Sequence, residues 1–261
     1  MNKIPRLTEE EKAKTQAILE LYRCVQSEGS RFGRPTIAIR TTGCTHRCWF
    51  GEGGWCDSWQ TSIHPEKAQF SFNDVVAIYD ENPHIKEMML TGGSPTMWPK
   101  LVNELTHFCH ERGIIMTIET EGSHFVETDY PIDLVSLSPK FSNSVPKIGI
   151  ETPNGKIVDQ KFIDQHNKHR LDPHTIRQMI NHHKDYHYKP VWDGTEGNLT
   201  QIEAFRLALN IPKEKTYIMP AGDSREELIK MYPLVFEMCA KHGYNMTGRD
   251  HIIAYDKKRF V

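Results

Sequence analysis

The sequence predicts an α/β fold, a partial (β/α) barrel in which parallel strands are covered by outer helices. Along the 261 residues, apolar strand patterns alternate with helical patterns. Such alternation predicts a parallel sheet or barrel with helices packed outside it. Four strand patterns also end in short polar or glycine-containing stretches, and ligand sites form at the carboxyl ends of strands in such folds.

The composition is typical of a globular domain with a hydrophobic core. Apolar residues make up 38% of the chain and charged residues 25%. The net charge of −2 provides no overall basic field, so we expect no direct nucleic-acid partner. The fourteen histidines change the charge only below about pH 6.5. We expect a single domain over residues 1–261.

The expected localisation depends on whether the sequence shows a signal-peptide or membrane-spanning pattern. The N-terminus has no apolar stretch of the signal-peptide kind, and no run approaches about 18 apolar residues. We therefore expect cytoplasmic localisation and no membrane partner. Thiols stay reduced in that compartment, so clustered cysteines indicate a metal site or catalysis rather than disulfides.

The first half of the chain begins with a charged, amphipathic pattern over 9–22, which predicts an N-terminal helical extension over about 1–22. Residues 24–35 contain Gly29, Gly33 and Pro35 and predict a loop. Ser71 and Asp74 predict a capping box for the next helix. The predicted strands are 36–41, 86–90, 114–119 and 132–137, and the predicted helices are 72–80 and 99–111.

The second half begins with residues 141–170, which are polar and fit neither period. They predict a long surface insertion that is β-rich or partly disordered. Regular patterns then resume. The predicted helices are 173–183, 199–209 and 224–241, and the predicted strands are 186–191, 215–219 and 251–255.

The functional edge is predicted from the residues that follow four strands. These are the cysteine loop, defined here as residues 43–58, and the stretches 91–95, 120–123 and 138–140. Because the carboxyl ends of parallel strands share one edge, we expect these stretches to meet. Glu119 and Glu121 form no recognisable acid–base pair by spacing, and adjacent strand-end carboxylates are often only solvated.

The cysteine loop contains Cys44, Cys48 and Cys56 in the spacing C-x3-C-x7-C. Thiolates are soft ligands that suit zinc or iron–sulfur clusters. A structural zinc site usually needs four ligands with paired C-x2-C spacing. Zinc with His46 as fourth ligand stays an alternative, although His46 lies between two of the cysteines, where chelation is strained. The isolated cysteines Cys24, Cys109 and Cys239 are expected to be buried small residues.

Three cysteines leave one iron of a [4Fe-4S] cluster without a protein ligand. That iron can chelate the amino and carboxylate groups of S-adenosylmethionine. Electron transfer from the reduced cluster then breaks the C–S bond and yields a 5′-deoxyadenosyl radical. Gly51, Gly53 and Gly54 permit the positive φ values that a loop around a cluster needs.

An ordered set of short motifs runs from about residue 20 to the end of the sequence. These motifs are Val25–Gly29, Gly33–Thr36, Ile39–Cys44, Trp55–Ser58, Thr91–Pro95, Ile118–Gly122, Ser138–Lys140 and Lys257–Val261. In these stretches and in their order, the chain resembles the radical S-adenosylmethionine superfamily, and within it the 7-carboxy-7-deazaguanine synthase family.

The sequence also departs from the family pattern. The second cysteine gap is seven residues instead of the usual two, so the loop carries a five-residue insertion. We expect Trp49–Gly54 to reshape the surface of the cluster rather than to add a ligand. Ser27 stands in place of a glycine. Ser94 replaces the glutamate of the common Gly-Gly-Glu motif, which in the superfamily helps to bind the methionyl amine.

The resemblance implies three cofactors: a [4Fe-4S] cluster on Cys44, Cys48 and Cys56, S-adenosylmethionine, and Mg²⁺ on Ser58. The implied S-adenosylmethionine contacts are Trp55, Cys56, Asp57, Gly92, Gly93, Ser138, Pro139 and Lys140. The implied substrate contacts are Val25, Gln26, Ser27, Arg40, Thr91 and the carboxylate of Val261. Plainer roles remain open for some of them, namely ordinary turns at Gly92–Gly93 and Ser138–Pro139 and a structural ion pair at Arg40.

The implied reaction is the conversion of 6-carboxy-5,6,7,8-tetrahydropterin to 7-carboxy-7-deazaguanine with release of ammonia, in queuosine-type 7-deazapurine biosynthesis. Expected partners are this small pterin, an electron donor such as flavodoxin or ferredoxin, and a second copy of the chain in a homodimer. The enzyme alternative is a glycyl-radical activase or another small radical enzyme. The non-enzyme alternative is a zinc-stapled binding protein.

Overall fold

The computed structural model describes residues 4–15, 17–50 and 54–261. The strands are β1 (Ile18–Val25), β2 (Pro35–Thr41), β3 (Glu87–Gly92), β4 (Ile115–Thr120), β5 (Leu134–Leu137), β6 (Tyr186–Tyr188), β7 (Val191–Trp192), β8 (Tyr217–Pro220) and β9 (Asn245–Met246). The helices are α1 (Glu9–Lys12), α2 (Trp59–Ser62), α3 (Phe72–Glu81), α4 (Pro99–Arg112), α5 (Gln160–His169), α6 (Pro173–His182), α7 (Glu196–Ala208), α8 (Arg225–His242) and α9 (Asp250–Tyr255).

The main sheet has the strand order β1-β2-β3-β4-β5-β6, and β2 to β6 are parallel. A second parallel sheet has the order β7-β8-β9. An isolated parallel bridge between Tyr188 and Thr216 links the two sheets. Parallel strands with outer helices in an open, partial barrel confirm the predicted fold class.

The core lies on both faces of the central strands. Ile37, Ala38 and Ile39 of β2 are consecutive and fully buried, as expected for a parallel strand covered on both sides. Leu105 of α4 and Leu90 of β3 are also fully buried in this core. Each such side chain contributes about 1.5–3 kcal/mol through burial. None of the described helices is both long enough and apolar enough to cross a membrane.

The predicted helix over 9–22 is wrong. Helix α1 ends at Lys12, and β1 begins at Ile18 and pairs antiparallel with β2. The sequence pattern predicted a helix because the apolar positions of 17–22 also fit one face of a helix. The open edge of β2 offers unpaired backbone groups, and pairing with them outweighs local helix preference. Parallel alternation therefore does not extend to β1. The loop that was predicted over 24–35 begins only at Gln26, because β1 continues to Val25.

Two further predictions need correction. Residues 251–255 form helix α9 instead of a strand, and the second sheet ends at β9. The insertion over 141–170 contains helix α5, and its strand pairing in the described residues is an isolated bridge between Glu151 and Ile157. The capping box of α3 is confirmed, because Ser71 and Asp74 bond reciprocally to each other's backbone N–H groups.

Candidate active site

A cavity open to solvent lies at the carboxyl ends of β2 to β5. Cys44 follows β2, Gly93 follows β3, Glu121 follows β4 and Ser138 follows β5, and all four line this cavity. The four polar stretches that follow the strands therefore meet at one edge. This position is the one at which parallel α/β proteins bind ligands.

The cysteine loop returns on itself after its second cysteine. Trp49 and Trp55 form an isolated antiparallel bridge, and the Phe50 N–H donates to the Gly54 carbonyl at 2.7 Å. Gly54 has a φ of +79°, as the glycine pattern predicted. Gly51 and Gly53 lie outside the described residues. The described residues on the two sides of the insertion thus pair with each other, and the chain reaches the cavity again at the third cysteine.

The three thiols of the loop line the cavity together. Burial raises the pKa of Cys44 to about 11 and that of Cys56 to about 12, and it raises the pKa of Cys48 well above its ordinary value. Neighbouring thiols add to the shifts of Cys48 and Cys56, which places the sulfurs close together. Thiols that resist ionisation need a metal centre to hold them as thiolates.

The geometry does not fit a single metal ion. In the described part of the chain, no group of three or more His, Cys, Asp or Glu side chains converges as ligands of one ion. Zinc needs donors about 2.0–2.3 Å from one point, whereas a four-iron cluster spreads its cysteine ligands over a larger body. His46, the fourth ligand of the zinc alternative, instead bonds through Nδ1 to the Thr45 hydroxyl at 2.9 Å. Three thiols in one cavity fit a [4Fe-4S] cluster.

The other cysteines divide into two kinds. Cys109 of α4 and Cys239 of α8 are buried, as predicted. Cys24 lies on β1 and is half-buried, and it lines the same cavity as the loop cysteines. Its charged neighbours are Glu119 and Arg40 rather than the other thiols. The prediction of a plain buried residue is therefore incomplete for Cys24.

Gly92 and Gly93 are required by the packing of the strand ends. A Cβ on Gly92 would collide with Thr41, and Gly92 has a φ of +148°. A Cβ on Gly93 would collide with the carbonyl oxygen of Gly43 and with Cys44. Glycine thus lets β3 approach β2 and the cysteine loop. A contact of either glycine with S-adenosylmethionine stays a prediction.

The remaining residues of the implied cofactor set lie in two places. Cys56, Asp57, Ser138 and Lys140 line the cavity. The Lys140 ammonium group donates to the carbonyl and hydroxyl oxygens of Ser138, at 2.7 and 2.8 Å. Trp55 does not line the cavity: its ring packs against Phe162 of the insertion. Pro139 does not line it either.

Arg40 forms the structural ion pair that was the plainer alternative. Its Nε donates to a Glu20 carboxylate oxygen at 2.9 Å, and Arg259 donates to the other oxygen at 2.8 Å. Glu20 therefore joins β2 to the segment that carries Val261, and Val261 lines the cavity. Arg40 also lines the cavity.

The Ser58 hydroxyl accepts a hydrogen bond from Arg40 Nη1 at 3.0 Å and lies 3.3 Å from an oxygen of Asp57. The Asp57 carboxylate is itself paired with Arg249. A guanidinium group on the hydroxyl disfavours a divalent cation, because like charges repel at short range. The described residues around Ser58 thus do not form a Mg²⁺ site in this arrangement.

The other implied substrate residues also line the cavity, and their polar groups are partly used by the protein. The side-chain oxygen of Gln26 accepts from the backbone N–H of Ser27 at 2.9 Å and so shapes its own loop. The Ser27 hydroxyl bonds to His251 Nδ1 at 2.7 Å. The Thr91 hydroxyl lies 3.4 Å from a Glu119 oxygen. Val25 is 57% exposed.

A buried charge network in the cavity was not found from the sequence. Lys189 is only 2% exposed and pairs with both Glu28 and Glu119. Arg249 pairs with Glu28 and Asp57. Burial opposes the ionisation of Glu28, but Lys189 and Arg249 outweigh it and lower its pKa to about 2. The sequence signal that could have indicated this network is Lys189, which lies within the predicted strand 186–191. A lysine in a buried strand is rare unless it is paired with an acidic residue.

The insertion over 141–170 packs against the cysteine loop. The Arg47 N–H donates to His166 Nδ1 at 3.0 Å, and the Trp49 N–H donates to the Ser144 carbonyl at 2.9 Å. The Ser144 hydroxyl bonds to the other ring nitrogen of His166 at 3.1 Å. Burial lowers the pKa of His166 to about 3, so the ring is neutral at pH 7 and can accept from Arg47.

The fold and the site define a class of protein. A mostly parallel, partial barrel with three cysteine thiols on the loop after its first parallel strand is the arrangement of radical S-adenosylmethionine enzymes. The site and its order along the chain agree with the resemblance found in the sequence.

The comparisons place the chain within that class. It is 31% identical to a 7-carboxy-7-deazaguanine synthase of Halobacterium salinarum over 92% of this chain and 90% of the relative. It is 30% identical to one of Rhodopirellula baltica over 93% and 87%. The chain belongs to the 7-carboxy-7-deazaguanine synthase family. The crystal structure of QueE from Escherichia coli has the same fold, with a TM-score of 0.57, 18% identity and coverage of 89% and 92%. No family model matches the chain.

Proposed function

We propose that this chain is a radical S-adenosylmethionine lyase that converts 6-carboxy-5,6,7,8-tetrahydropterin to 7-carboxy-7-deazaguanine with release of ammonia, in queuosine-type 7-deazapurine biosynthesis. The observation that carries the proposal is membership of the synthase family over nearly the whole chain. The cavity supports it, because three thiols and a separate charge network share one space. That arrangement would place a cofactor and a polar substrate next to each other.

The cofactors of this class are a [4Fe-4S] cluster and S-adenosylmethionine. Cys44, Cys48 and Cys56 would hold the cluster. When bound, the two groups supply a 5′-deoxyadenosyl radical that removes a hydrogen atom from the substrate. The chain itself positions the groups and excludes water, since the cofactor carries the difficult chemistry.

The charge network would bind the substrate. Arg40 keeps one face toward the cavity while Glu20 holds the other, so the guanidinium group is oriented for a carboxylate. Glu28 and Glu119 offer acceptors for the N–H groups of a pterin, and Lys189 holds both carboxylates in place. Preorganised polar groups of this kind fix the orientation of a substrate without reorganising during the reaction.

Four finer features belong to the proposal. Mg²⁺ on Ser58, which the family resemblance implies, would compete with the hydrogen bond from Arg40 to the hydroxyl oxygen. Flavodoxin or ferredoxin would supply the electron. The enzyme would act as a homodimer in the cytoplasm. Light scattering on the reconstituted protein tests the homodimer directly, since a monomeric mass contradicts it.

The decisive experiment is turnover by protein reconstituted anaerobically with iron and sulfide and supplied with a chemical reductant. We expect about four irons per chain, absorption near 400 nm, and formation of 7-carboxy-7-deazaguanine from the pterin. Cleavage of S-adenosylmethionine with the pterin left unchanged would show that the substrate is wrong. One bound zinc and no activity would instead support the binding-protein alternative.

A further inference from the structure

Glu121 is a buried carboxylate that follows β4 at the edge of the cavity. Its residue surface is only 6% exposed, and it lines the cavity together with the three loop cysteines. The expectation that the carboxylates at this strand end are solvated is therefore wrong for Glu121. A carboxylate in such a position needs partners, because burial of a charge is costly unless it is paired and hydrogen-bonded.

The two oxygens of Glu121 have unequal partners. Oε1 accepts hydrogen bonds from the hydroxyl groups of Thr45, Ser94 and Ser123, with the Thr45 contact at 3.1 Å. Oε2 is also buried, and it has no hydrogen-bond partner among the described residues. Native proteins rarely leave a buried oxygen in that state unless a water or a ligand completes it.

The charge of Glu121 is also uncompensated. No Lys or Arg nitrogen of residues 4–15, 17–50 or 54–261 lies within 4.0 Å of its carboxylate, and the basic group that does is His46, at 3.9 Å. The Nδ1 atom of His46 bonds instead to the Thr45 hydroxyl at 2.9 Å, so the ring makes no hydrogen bond to the Glu121 carboxylate. A cationic ligand would complete the site.

The position of Glu121 relative to the cysteines identifies the kind of cation. The Ser94 hydroxyl contacts both the Glu121 carboxylate and the sulfur of Cys44, the latter at 3.6 Å. A group bound to Glu121 therefore lies beside a proposed cluster ligand. A primary ammonium group suits the site because it carries three donors and a full charge.

We propose that Glu121 binds the amino group of the methionyl part of S-adenosylmethionine, with Ser94 orienting its carboxylate. This inference rests on the proposed function. It also explains why the chain tolerates serine in the Gly-Gly-Ser motif. In the common Gly-Gly-Glu motif, the carboxylate follows β3. Here the carboxylate would come from Glu121 at the end of β4, and the Ser94 hydroxyl, which stands at the motif position, donates to it.

The test compares two ligands on the anaerobically reconstituted protein. S-adenosylmethionine contains the amino group, whereas 5′-methylthioadenosine shares the adenosine and sulfur but lacks it. We expect Glu121→Gln to weaken S-adenosylmethionine binding about tenfold or more. It should leave 5′-methylthioadenosine binding within about twofold of wild type and leave iron and sulfide contents unchanged. Glu127→Gln, an exposed neighbour, is the matched control and should change neither constant.

The outcomes separate this inference from the proposed function. If wild type binds S-adenosylmethionine and Glu121→Gln binds it equally well, the role of Glu121 is wrong and the proposed function stands. Equal weakening of both ligands also overturns the role, because the adenosine side would then depend on Glu121. If wild type binds no S-adenosylmethionine, both proposals fail.

Discussion

The backbone N–H of Cys56 donates to the carbonyl oxygen of Cys48 at 3.1 Å, across a gap of seven residues. This bond brings the third cysteine back beside the second. The bridge between Trp49 and Trp55 lies directly outside it, so the intervening chain leaves and returns at nearly one point. The described residues that flank the long gap therefore pair with each other, and the second and third cysteines stay adjacent despite the extra residues.

Deleting residues 50–54 should leave cluster binding intact. The deletion joins Trp49 to Trp55 and restores the spacing C-x3-C-x2-C. Paired residues on antiparallel strands have Cα atoms about 4.5–5.5 Å apart, close to the roughly 3.8 Å of adjacent residues, so little backbone movement is needed. We expect about four irons per chain after reconstitution, measured by iron and sulfide analysis.

Two cysteine variants are the controls for the deletion experiment. Cys48→Ala should abolish cluster assembly, while Cys239→Ala, at a buried position of α8 outside the cavity, should retain it. If the deletion variant binds as little iron and sulfide as Cys48→Ala, residues 50–54 contribute to cluster binding. The interpretation of the long gap as an addition without a ligand is then wrong.

Replacing His166 by alanine should expose the cysteine loop. The variant removes the acceptor of the Arg47 N–H, and an unsatisfied buried donor costs about 1–3 kcal/mol. We expect a similar loss in the free energy of unfolding, measured with urea on the cluster-free protein, and faster bleaching of the 400 nm absorption in air. Lys168→Ala, at an exposed position of α5, is the control. Equal bleaching rates in the two variants would contradict a protective role of the insertion.

Ser58 is the test of the Mg²⁺ proposal. After removal of divalent ions, wild-type turnover should rise when Mg²⁺ is added, because the proposal places the ion on the Ser58 hydroxyl oxygen. Ser58→Ala should lose this response, and Ser58→Thr, which keeps a hydroxyl, should retain it. A Ser58→Ala enzyme that still responds to Mg²⁺ would place the ion elsewhere.

Glu28 should make the stability of the protein depend on pH in the acid range. Its pKa falls from an ordinary 4.5 to about 2 in the folded protein, so it stabilises the fold above pH 4.5. That contribution, on the order of 3 kcal/mol, is lost as the pH falls from 4.5 towards 2. Urea unfolding of the cluster-free protein between pH 7 and pH 3 should show a smaller loss for Glu28→Gln than for wild type.

The matched control for the acid series is Glu127→Gln, whose side chain is exposed. Its free energy of unfolding should change with pH as that of the wild type does. If that of Glu28→Gln changes in the same way, Glu28 is not the group that links stability to pH, and the pairing with Lys189 and Arg249 is weaker than its geometry implies.

The errors of sequence reasoning have a common physical cause. Residues 18–25 and 251–255 are short apolar runs that fit more than one period, and local preference alone does not decide between them. For 18–25 the free edge of β2 decides in favour of a strand. Residues 251–255 become α9, where Tyr232 of α8 donates to Asp250 at 3.0 Å. Such partners come from distant parts of the chain.

The class of fold, the cysteine loop and the family follow from the amino-acid order alone, because alternating periods, ligand residue types and ordered motifs are local properties of the chain. The roles of side chains whose partners are far away depend on tertiary packing. Cys56 donates to Cys48 across the long gap, Lys189 joins Glu28 to Glu119 across 161 and 70 positions, and one buried oxygen of Glu121 has no hydrogen-bond partner among the described residues. Burial and pairing depend on which elements pack together, and spacing along the chain does not report them.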